Sequence, residues 1–398
     1  MNRLRTSSLA VAIAATAVLL AACGSSSESS SSQAASSANA ASSDAASDGS
    51  SAASSPDDTA GATAAAGEIS CVDGAIQASG SSAQANAITD WVNAYQTACP
   101  GATIDYQPVG SGAGVQAFIS GQISFAGTDS AVSGDDLSKA SAICENGGAG
   151  INIPMVGGAI AVAYNLEGVD GLVLNSETVA GIFANKITKW NDPAIAATNP
   201  GASLPDATIA QFHRSDSSGT TDNFTSYLTA TAPDTWTFGS GKDWTAPGGQ
   251  GSKGSDQVIA SVNQTPNSIG YVELSYVLDA SGAKAASIDN GGGAVEATSE
   301  TAAKTIAAAE ITGTGDDLTL KIDYTTAEPG SYPIVLVTYE FTCQSGLPSA
   351  KNPALVQAFL NYGASDAGQA NLTATGYVPI TGDLLTKVRA AITSIQTS

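Results

Sequence analysis

The sequence predicts an α/β protein with two lobes, each a mostly parallel sheet flanked by helices. Strand-like and helix-like runs alternate near the start of the ordered region, with the spacing that is typical of parallel βαβ units. About 330 residues follow the low-complexity amino-terminal segment, and one hydrophobic core rarely supports that many. The alternating runs are a strand at 75–78, a helix at 82–95, a strand at 103–109, a helix at 113–120 and a strand at 123–126.

Two long apolar runs, 152–165 and 331–343, bracket the middle of the chain. Runs of this kind are expected where the chain crosses twice between lobes. We therefore predict that residues 68–160 plus 336–398 form lobe 1 and that residues 161–335 form lobe 2. Two more helices are predicted in lobe 1, at 353–362 and 383–395.

The charge balance excludes several classes of protein. The chain carries 14 Lys and Arg against 36 Asp and Glu, a net charge of −22, which argues against binding nucleic acid through an overall positive field. Its one histidine, His213, excludes multi-histidine metal sites and leaves a single candidate base for serine or cysteine catalysis. We expect no metal, no cofactor and no catalytic residue.

The first residues resemble an export signal. Arg3 and Arg5 precede an apolar run at 9–22, which is too short for a comfortable membrane span and ends in small residues before Cys23. This order predicts a signal peptide at 1–22 and a lipobox in which Cys23 is diacylated. The alternative is an ordinary signal peptide followed by an incidental cysteine.

Residues 23–67 are predicted to be a lipidated amino terminus and a disordered tether. From 24 to 67 the chain is almost wholly Ser, Ala, Gly, Thr and Asp, without aromatic or large aliphatic side chains that could offset the entropy of ordering. We expect the protein to be extracytoplasmic and anchored by lipid to the outer face of the cell membrane.

Four cysteines remain after Cys23, an even number that suggests two disulfides in an exported protein. Three connectivities are possible, and we take Cys71–Cys99 with Cys144–Cys343 as the expected pairing. Buried free thiols are the alternative.

Three glycine- and serine-rich loops each lead into a predicted helix, at 78–84, 110–114 and 215–221. Glycine lets the backbone approach a ligand, and the first N–H groups of a helix lack internal partners and point outward. Helix capping alone often produces one such loop. Three loops, without the Gly-Lys-Ser/Thr ending of a P-loop, indicate one small oxyanion that is held mainly by dipoles.

Two charged residues next to these loops suggest how the anion is recognised. Arg214 directly precedes the third loop, and its planar guanidinium can donate two parallel hydrogen bonds to a tetrahedral oxyanion. Asp216 can orient that guanidinium. The alternatives are a surface ion pair for Arg214 and a helix N-cap for Asp216.

Asp129 follows a predicted strand at the end where α/β proteins bind ligands. A carboxylate repels an anion unless the anion carries a proton that the carboxylate can accept as a hydrogen bond. Phosphate keeps a proton at neutral pH and sulfate does not, so Asp129 favours phosphate. The alternative is an ordinary turn or cap residue.

Six motifs in order resemble the phosphate-binding lipoprotein (PstS) family of the Pst-type phosphate ABC transporter, over most of residues 70–380. The family implies a two-lobed, periplasmic-binding-protein-like (type II) fold that closes on phosphate. The motifs are GSSAQ (80–84), GSGAG (110–114), GTD (127–129), TVAGIF (178–183) with KITKWND (186–192), RSDSSGT (214–220) and TPNSIGYVE (265–273).

The resemblance implies a set of phosphate ligands. Asp129 would accept the ligand proton, and Arg214, held by Asp216, would be the single cation. Many relatives have Thr-Phe where this chain has Ser82-Ala83, so the hydroxyl is kept and an aromatic wall is lost. The remaining implied donors are Ser82, Ala83, Ser111, Ser218, Gly219 and Thr220. The implied partners are inorganic phosphate and the membrane permease of an ABC transporter, with a monomer as the expected state and no nucleic acid.

Other functions stay open at this point. A metal-independent phosphatase-like enzyme would use Ser111 or Ser218 as nucleophile and His213 as base, although no G-x-S-x-G motif is present. A surface adhesion or antigen role would use the tether but does not require three anion loops. A binder of sulfate or molybdate would not need Asp129.

Overall fold

The computed structural model describes residues 69–397. The predicted signal peptide, the lipidated Cys23 and the tether at 23–67 lie outside these residues, so those expectations stay predictions.

The first elements follow the predicted alternation of strands and helices, and each boundary lies within three residues of its expected position. Helix α1 illustrates why: its buried Ala87, Ile88, Trp91 and Tyr95 recur at helical spacing. The elements are β1 (Gly74–Gly80), α1 (Ala85–Ala98), β2 (Ala102–Gln107), α2 (Ser111–Ile119), β3 (Phe125–Thr128), α3 (Gly134–Ser141) and β4 (Gly150–Asn165).

The middle of the chain continues with short strands and helices. The third glycine-serine loop joins a strand that ends at Arg214 to a helix that begins at Gly219. The elements are β5 (Val173–Asn175), α4 (Ser176–Phe183), α5 (Pro193–Thr198), β6 (Ala210–Arg214), α6 (Gly219–Thr231), β7 (Gln250–Ser252), α7 (Gly254–Gln264), β8 (Ser268–Glu273) and α8 (Ser275–Leu278).

The last part contains the second long strand and both predicted carboxy-terminal helices. The elements are β9 (Lys284–Ala285), β10 (Ser287–Asp289), β11 (Ala294–Val295), α9 (Ser299–Ala307), β12 (Glu310–Ile311), β13 (Leu320–Lys321), β14 (Val335–Cys343), α10 (Pro353–Gly363), α11 (Asp366–Ala370), β15 (Tyr377–Pro379) and α12 (Gly382–Ser394).

The main sheet has the strand order β2-β1-β3-β14-β4-β8-β6-β7. Strand β1 pairs in parallel with β2 and β3, and β6 pairs in parallel with β7 and β8. Every antiparallel pairing in this sheet involves β4 or β14. The prediction of parallel pairing therefore holds on both flanks, and the centre is antiparallel because the two long strands run in opposite directions.

Strand β4 connects the two flanks of the sheet. Its residues 150–159 pair with β14, and its residues 160–165 pair with β8. Almost every residue of β4 is buried, as expected for a strand that is covered on both faces. We call the strands β1, β2, β3 and β14 with their following loops and helices the β1 side, and β6, β7 and β8 with theirs the β6 side.

Two disulfides join the expected cysteine pairs. Cys71–Cys99 ties the segment before β1 to the end of α1, and Cys144–Cys343 links the region after α3 to the end of β14. The Cα atoms are 5.3 Å and 5.7 Å apart, normal separations for a disulfide. The predicted pairing is confirmed, and the alternative of free thiols is wrong.

No helix within residues 69–397 combines the length and apolarity needed to cross a membrane.

A fully buried carboxyl group lies in the centre of the sheet. Glu340 on β14 pairs with Gly127 on one side and Ile153 on the other, and neither of its carboxyl oxygens has a hydrogen-bond partner within the described residues. Burial raises the pKa of Glu340 to about 8, nearby Asp129 adds to the rise, and Gln84 opposes it. Glu340 is therefore expected to be largely protonated at neutral pH.

We predict that Glu340→Gln stabilises the protein increasingly as pH rises. Because the folded-state pKa of Glu340 is raised from 4.5, the native state holds its proton more tightly than the unfolded chain. The wild type therefore loses stability as pH rises from about 4.5 to about 8. The glutamine variant has no group that titrates at this position, so it does not lose this stability. The difference in unfolding free energy is expected to be near zero at about pH 4 and at most about 4 kcal/mol near pH 7.5.

Urea unfolding at several pH values measures this difference. Glu310→Gln, at an exposed position, is the matched control and is expected to follow the wild type. Parallel pH curves for the wild type and Glu340→Gln would show that Glu340 does not take up the proton.

Candidate functional site

The anion loops lie where strands of the main sheet end. Ser81 N–H donates to Gly127 O (2.8 Å) and Gly110 N–H donates to Gly80 O (2.8 Å), so backbone hydrogen bonds join the first loop to the second loop and to the end of β3. Gly110 has a φ of 101°, a conformation that favours glycine. A side chain there would also run into the Asp216 carboxylate.

The loops of the β6 side contact those of the β1 side directly. Gly112 N–H donates to Ser217 O (3.0 Å), and Asn223 Nδ2 donates to the backbone oxygen of Asp129 (2.7 Å). Gly219 packs so closely that an added Cβ would lie 2.6 Å from Asp129 Cβ and 2.8 Å from Ser111 Oγ. Glycine is required at this position because the third loop approaches Asp129 and Ser111 without room for a side chain.

The carboxylate of Asp129 is buried and accepts hydrogen bonds from three hydroxyl groups. Ser81 and Thr338 donate to Oδ1, the latter over 2.7 Å, and Ser111 donates to Oδ2 over 3.2 Å. Each carboxylate oxygen has two lone pairs, so Oδ1 is fully used and Oδ2 has one acceptor position left. Burial raises the pKa of Asp129 even though these hydroxyl groups and Arg214 lower it.

Arg214 is 2% exposed and forms a two-point ion pair with Asp216. Its Nε donates to Oδ1 (2.7 Å) and its Nη2 to Oδ2 (2.5 Å), while Gly254 N–H donates to Oδ1 (3.1 Å). Burial alone would raise the pKa of Asp216, but Arg214 and Gly254 hold it below its usual value. Arg214 Nη1 makes no hydrogen bond within residues 69–397, so this donor remains for a ligand.

Ser82 and Ala83 follow β1 in the first loop. Ser82 Oγ lies 3.0 Å from Ser255 Oγ and accepts a hydrogen bond from Ser255 N–H (3.1 Å). The Ala83 N–H, expected to be a free ligand donor, donates to Ser81 Oγ (3.0 Å) in this structure. The Ser111 hydroxyl is likewise engaged by Asp129, which leaves its backbone N–H as its available donor.

The third loop caps helix α6. Ser218 Oγ accepts from Thr221 N–H (3.2 Å), so Ser218 is the N-cap and the alternative of an Asp216 cap is wrong. Gly219 and Thr220 form the first turn, whose N–H groups have no partner inside the helix. Thr220 Oγ1 is buried and has no hydrogen-bond partner in the described part of the chain.

His213 lies on β6 and is satisfied by neighbours that are not nucleophiles. Its ring stacks on Trp244 with centroids 4.8 Å apart, and its Nδ1 lies 2.9 Å from Arg214 O. Burial lowers the pKa of His213, so the ring is neutral near pH 7 with Nδ1 as the donor. A histidine held in this way does not activate Ser111 or Ser218.

Sequence reasoning missed four residues that contact the site. Gly254 and Ser255 repeat the glycine-serine pattern before a helix, a signal that could have identified them. Ser81 lies next to a predicted ligand in the same loop. Thr338 lies within a buried strand, where nothing in the local sequence marks it as a partner of Asp129.

No group of three or more His, Cys, Asp or Glu side chains in residues 69–397 is arranged to hold a metal ion.

Comparisons with known proteins identify the family of this chain. A family model described as a PBP superfamily domain matches residues 39–367. Phosphate-binding protein PstS 3 of Mycobacterium tuberculosis is 42% identical over 323 residues, which cover 80% of this chain and 86% of that protein. The Mycobacterium leprae protein of the same name is 41% identical over 339 residues, covering 83% and 89%.

Solved structures show the same fold. A phosphate-binding protein from Stenotrophomonas maltophilia superposes with a TM-score of 0.64 at 21% identity, covering 80% of this chain and 93% of that one. An ABC-type phosphate transport receptor from Vibrio cholerae gives a TM-score of 0.50 at 18% identity, covering 77% and 100%. The chain belongs to the PBP superfamily and, within it, to the PstS family of phosphate-binding proteins, and the relatives it matches are named as binding proteins rather than enzymes.

Proposed function

We propose that this protein captures inorganic phosphate between the β1 side and the β6 side and delivers it to the permease of a phosphate ABC transporter. The observation that carries the proposal is the single unused acceptor position on Asp129 Oδ2, in a buried site that also holds Arg214 with a free Nη1. A ligand that fits must be an anion and must still carry a proton. Phosphate near neutral pH meets both conditions.

The surrounding groups supply donors for the remaining phosphate oxygens. The Ser218 hydroxyl accepts from Thr221 N–H and therefore keeps its own proton for the ligand. The first-turn N–H groups of α2 and α6 point outward with the positive ends of their helix dipoles. The proposed phosphate ligands are Ser82, Ser111, Asp129, Arg214, Ser218, Gly219 and Thr220, with Asp216 holding Arg214. Ala83 is not among them, because its N–H donates to Ser81 Oγ.

Binding is proposed to close two lobes, residues 68–160 plus 336–398 and residues 161–335. The sheet order supports this division, because ligand groups from β1, β2 and β3 lie on one side of β4 and those from β6 on the other. A ligand that touches both sides favours the closed state by its differential affinity for that state. Release to the permease then requires the two sides to separate.

Sulfate and molybdate are the competing ligands. Neither carries a proton at neutral pH, so each would place an oxygen against the open lone pair of Asp129 Oδ2 with no hydrogen between them. The three hydroxyl donors to Asp129 stabilise its ionised form and thereby strengthen this discrimination.

The extracytoplasmic form is proposed to be a monomer, held at the outer face of the cell membrane by lipid on Cys23. The basic, apolar and small-residue segments before Cys23 support this proposal, as does the composition of residues 24–67. Two disulfides fit an oxidising compartment.

We predict that Arg214→Ala weakens phosphate binding about 100-fold or more. The substitution removes the cation and leaves Asp216 buried without its partner, a change that costs a few kcal/mol at comparable sites. Calorimetric titration of phosphate-stripped protein measures the change. Arg389→Ala, which breaks an exposed ion pair with Asp366, is the control and is expected to bind like the wild type.

Two results would overturn the proposal in different ways. Phosphate-stripped wild type that takes up no phosphate would refute the function itself. If Arg214→Ala binds phosphate with the affinity of the wild type, the binding site lies elsewhere in the protein.

We predict that Asp129→Asn weakens phosphate binding about 10- to 100-fold and narrows the preference over sulfate, because a charged acceptor for the ligand proton is lost. Titrations with phosphate and sulfate give the ratio of the two dissociation constants. Asp383→Asn, at an exposed position, controls for the change in net charge. If Asp129→Asn leaves this ratio unchanged, Asp129 does not recognise the proton of the ligand.

We predict that Cys23→Ser releases the protein from membranes. Expression in a bacterium with labelled fatty acid, followed by fractionation, is expected to show label and membrane retention in the wild type and neither in the variant. Ser25→Ala, two residues further on, is the matched control. Membrane retention of unlabelled Cys23→Ser would contradict lipidation at this cysteine.

A further inference from the structure

A fourth helix begins at the site, and its first two N–H groups have polar partners there. Helix α7 opens with Gly254, whose N–H donates to Asp216 Oδ1 (3.1 Å), and Ser255, whose N–H donates to Ser82 Oγ (3.1 Å). The amino-terminal end of α7 thus contacts both the Asp216 carboxylate, which holds Arg214, and the first anion loop.

Residues of the β6 side form hydrogen bonds with two atoms of Ser82. Ser255 contacts its hydroxyl, and Tyr276 OH donates to its backbone oxygen over 2.6 Å. Ser82 follows β1, whereas Ser255 and Tyr276 follow β7 and β8, so these bonds cross the central strand β4. Both serine side chains are buried, which shields their hydrogen bonds from competing water.

The pairing determines where the Ser82 proton goes. A serine hydroxyl has one proton to donate and two lone pairs to accept with. Ser255 N–H occupies one lone pair of Ser82 Oγ, and the Ser255 hydroxyl, 3.0 Å away, can donate to the other. With both lone pairs filled, the proton of Ser82 is left for a ligand oxygen.

We propose that Ser255 is a positioning residue that orients the Ser82 hydroxyl toward bound phosphate and holds the β1 side against the β6 side. This inference rests on the proposed phosphate binding and adds a residue that does not itself touch the ligand. Because the bond crosses β4 and forms when the two sides meet, its loss should act mainly on the dissociation rate of phosphate.

A double-mutant cycle tests the proposal. Inorganic phosphate is titrated into the stripped full chain carrying Ser255→Ala, Ser82→Ala or both, and dissociation rates are measured by stopped flow. Ser255→Ala alone is expected to raise the dissociation constant about five- to tenfold, the scale of one hydrogen bond. In the Ser82→Ala background, the same change is expected to add less than about twofold, because its target is gone.

A change on the same helix provides the control. Ser261 donates to Gln257 O and lies 3.0 Å from Ser252 Oγ, outside the site, so Ser261→Ala should bind phosphate like the wild type. Urea unfolding of the apo variants separates a binding defect from a folding defect.

Wild-type affinity in Ser255→Ala, or full additivity with Ser82→Ala, would overturn the positioning role and leave phosphate binding intact. Failure of the wild type to bind phosphate would instead refute the proposed function.

Discussion

The site depends on keeping one guanidinium buried. Taking Arg214 out of water costs several kcal/mol unless a partner of opposite charge and good geometry compensates, and Asp216 meets it at two points. Asp216 in turn needs Gly254 N–H at the start of α7. The ends of β6 and β7 are therefore fixed relative to each other, and the third loop, which begins at Ser215, is carried with them.

The Arg214–Asp216 ion pair explains why affinity for an anion depends on the hydrogen-bond donors around the site more than on the net charge of the site. Arg214 is offset by Asp216, and an ionised Asp129 makes the local sum negative before any anion arrives. The chain as a whole carries −22, although that field is screened within about 8–10 Å at physiological ionic strength. Affinity for an anion must come from hydroxyl groups and helix N–H groups at contact distance.

Local sequence patterns predicted the first five elements, the two long strands, the two carboxy-terminal helices and the three loops, because helix periodicity, strand alternation and glycine-serine turns are encoded within a few residues. Most of the short elements between 166 and 330 were not predicted. Arg214 and Ser111 could be assigned to one site because each lies at a glycine-serine loop, and Asp129 because it follows a strand end and a motif of the family. The partners of Asp129 could not all be found in this way. Thr338 reaches it only because β14 pairs with β3 in the register Tyr339 to Thr128, a contact between segments far apart in sequence. The engagement of Ala83 N–H by Ser81 is likewise a property of the folded loop.

The contacts across β4 bear on the proposed closure of the two sides. Several hydrogen bonds join the two sides without a ligand, from Gly112 to Ser217, from Asn223 to Asp129 and from Ser255 to Ser82. Each is worth about 0.5–1.5 kcal/mol net, because water replaces it when the sides separate. Together they contribute only a few kcal/mol, so in the proposed closure phosphate can favour the closed state by a modest differential affinity. A much stronger set of contacts would close the empty protein and reduce the rate at which phosphate enters.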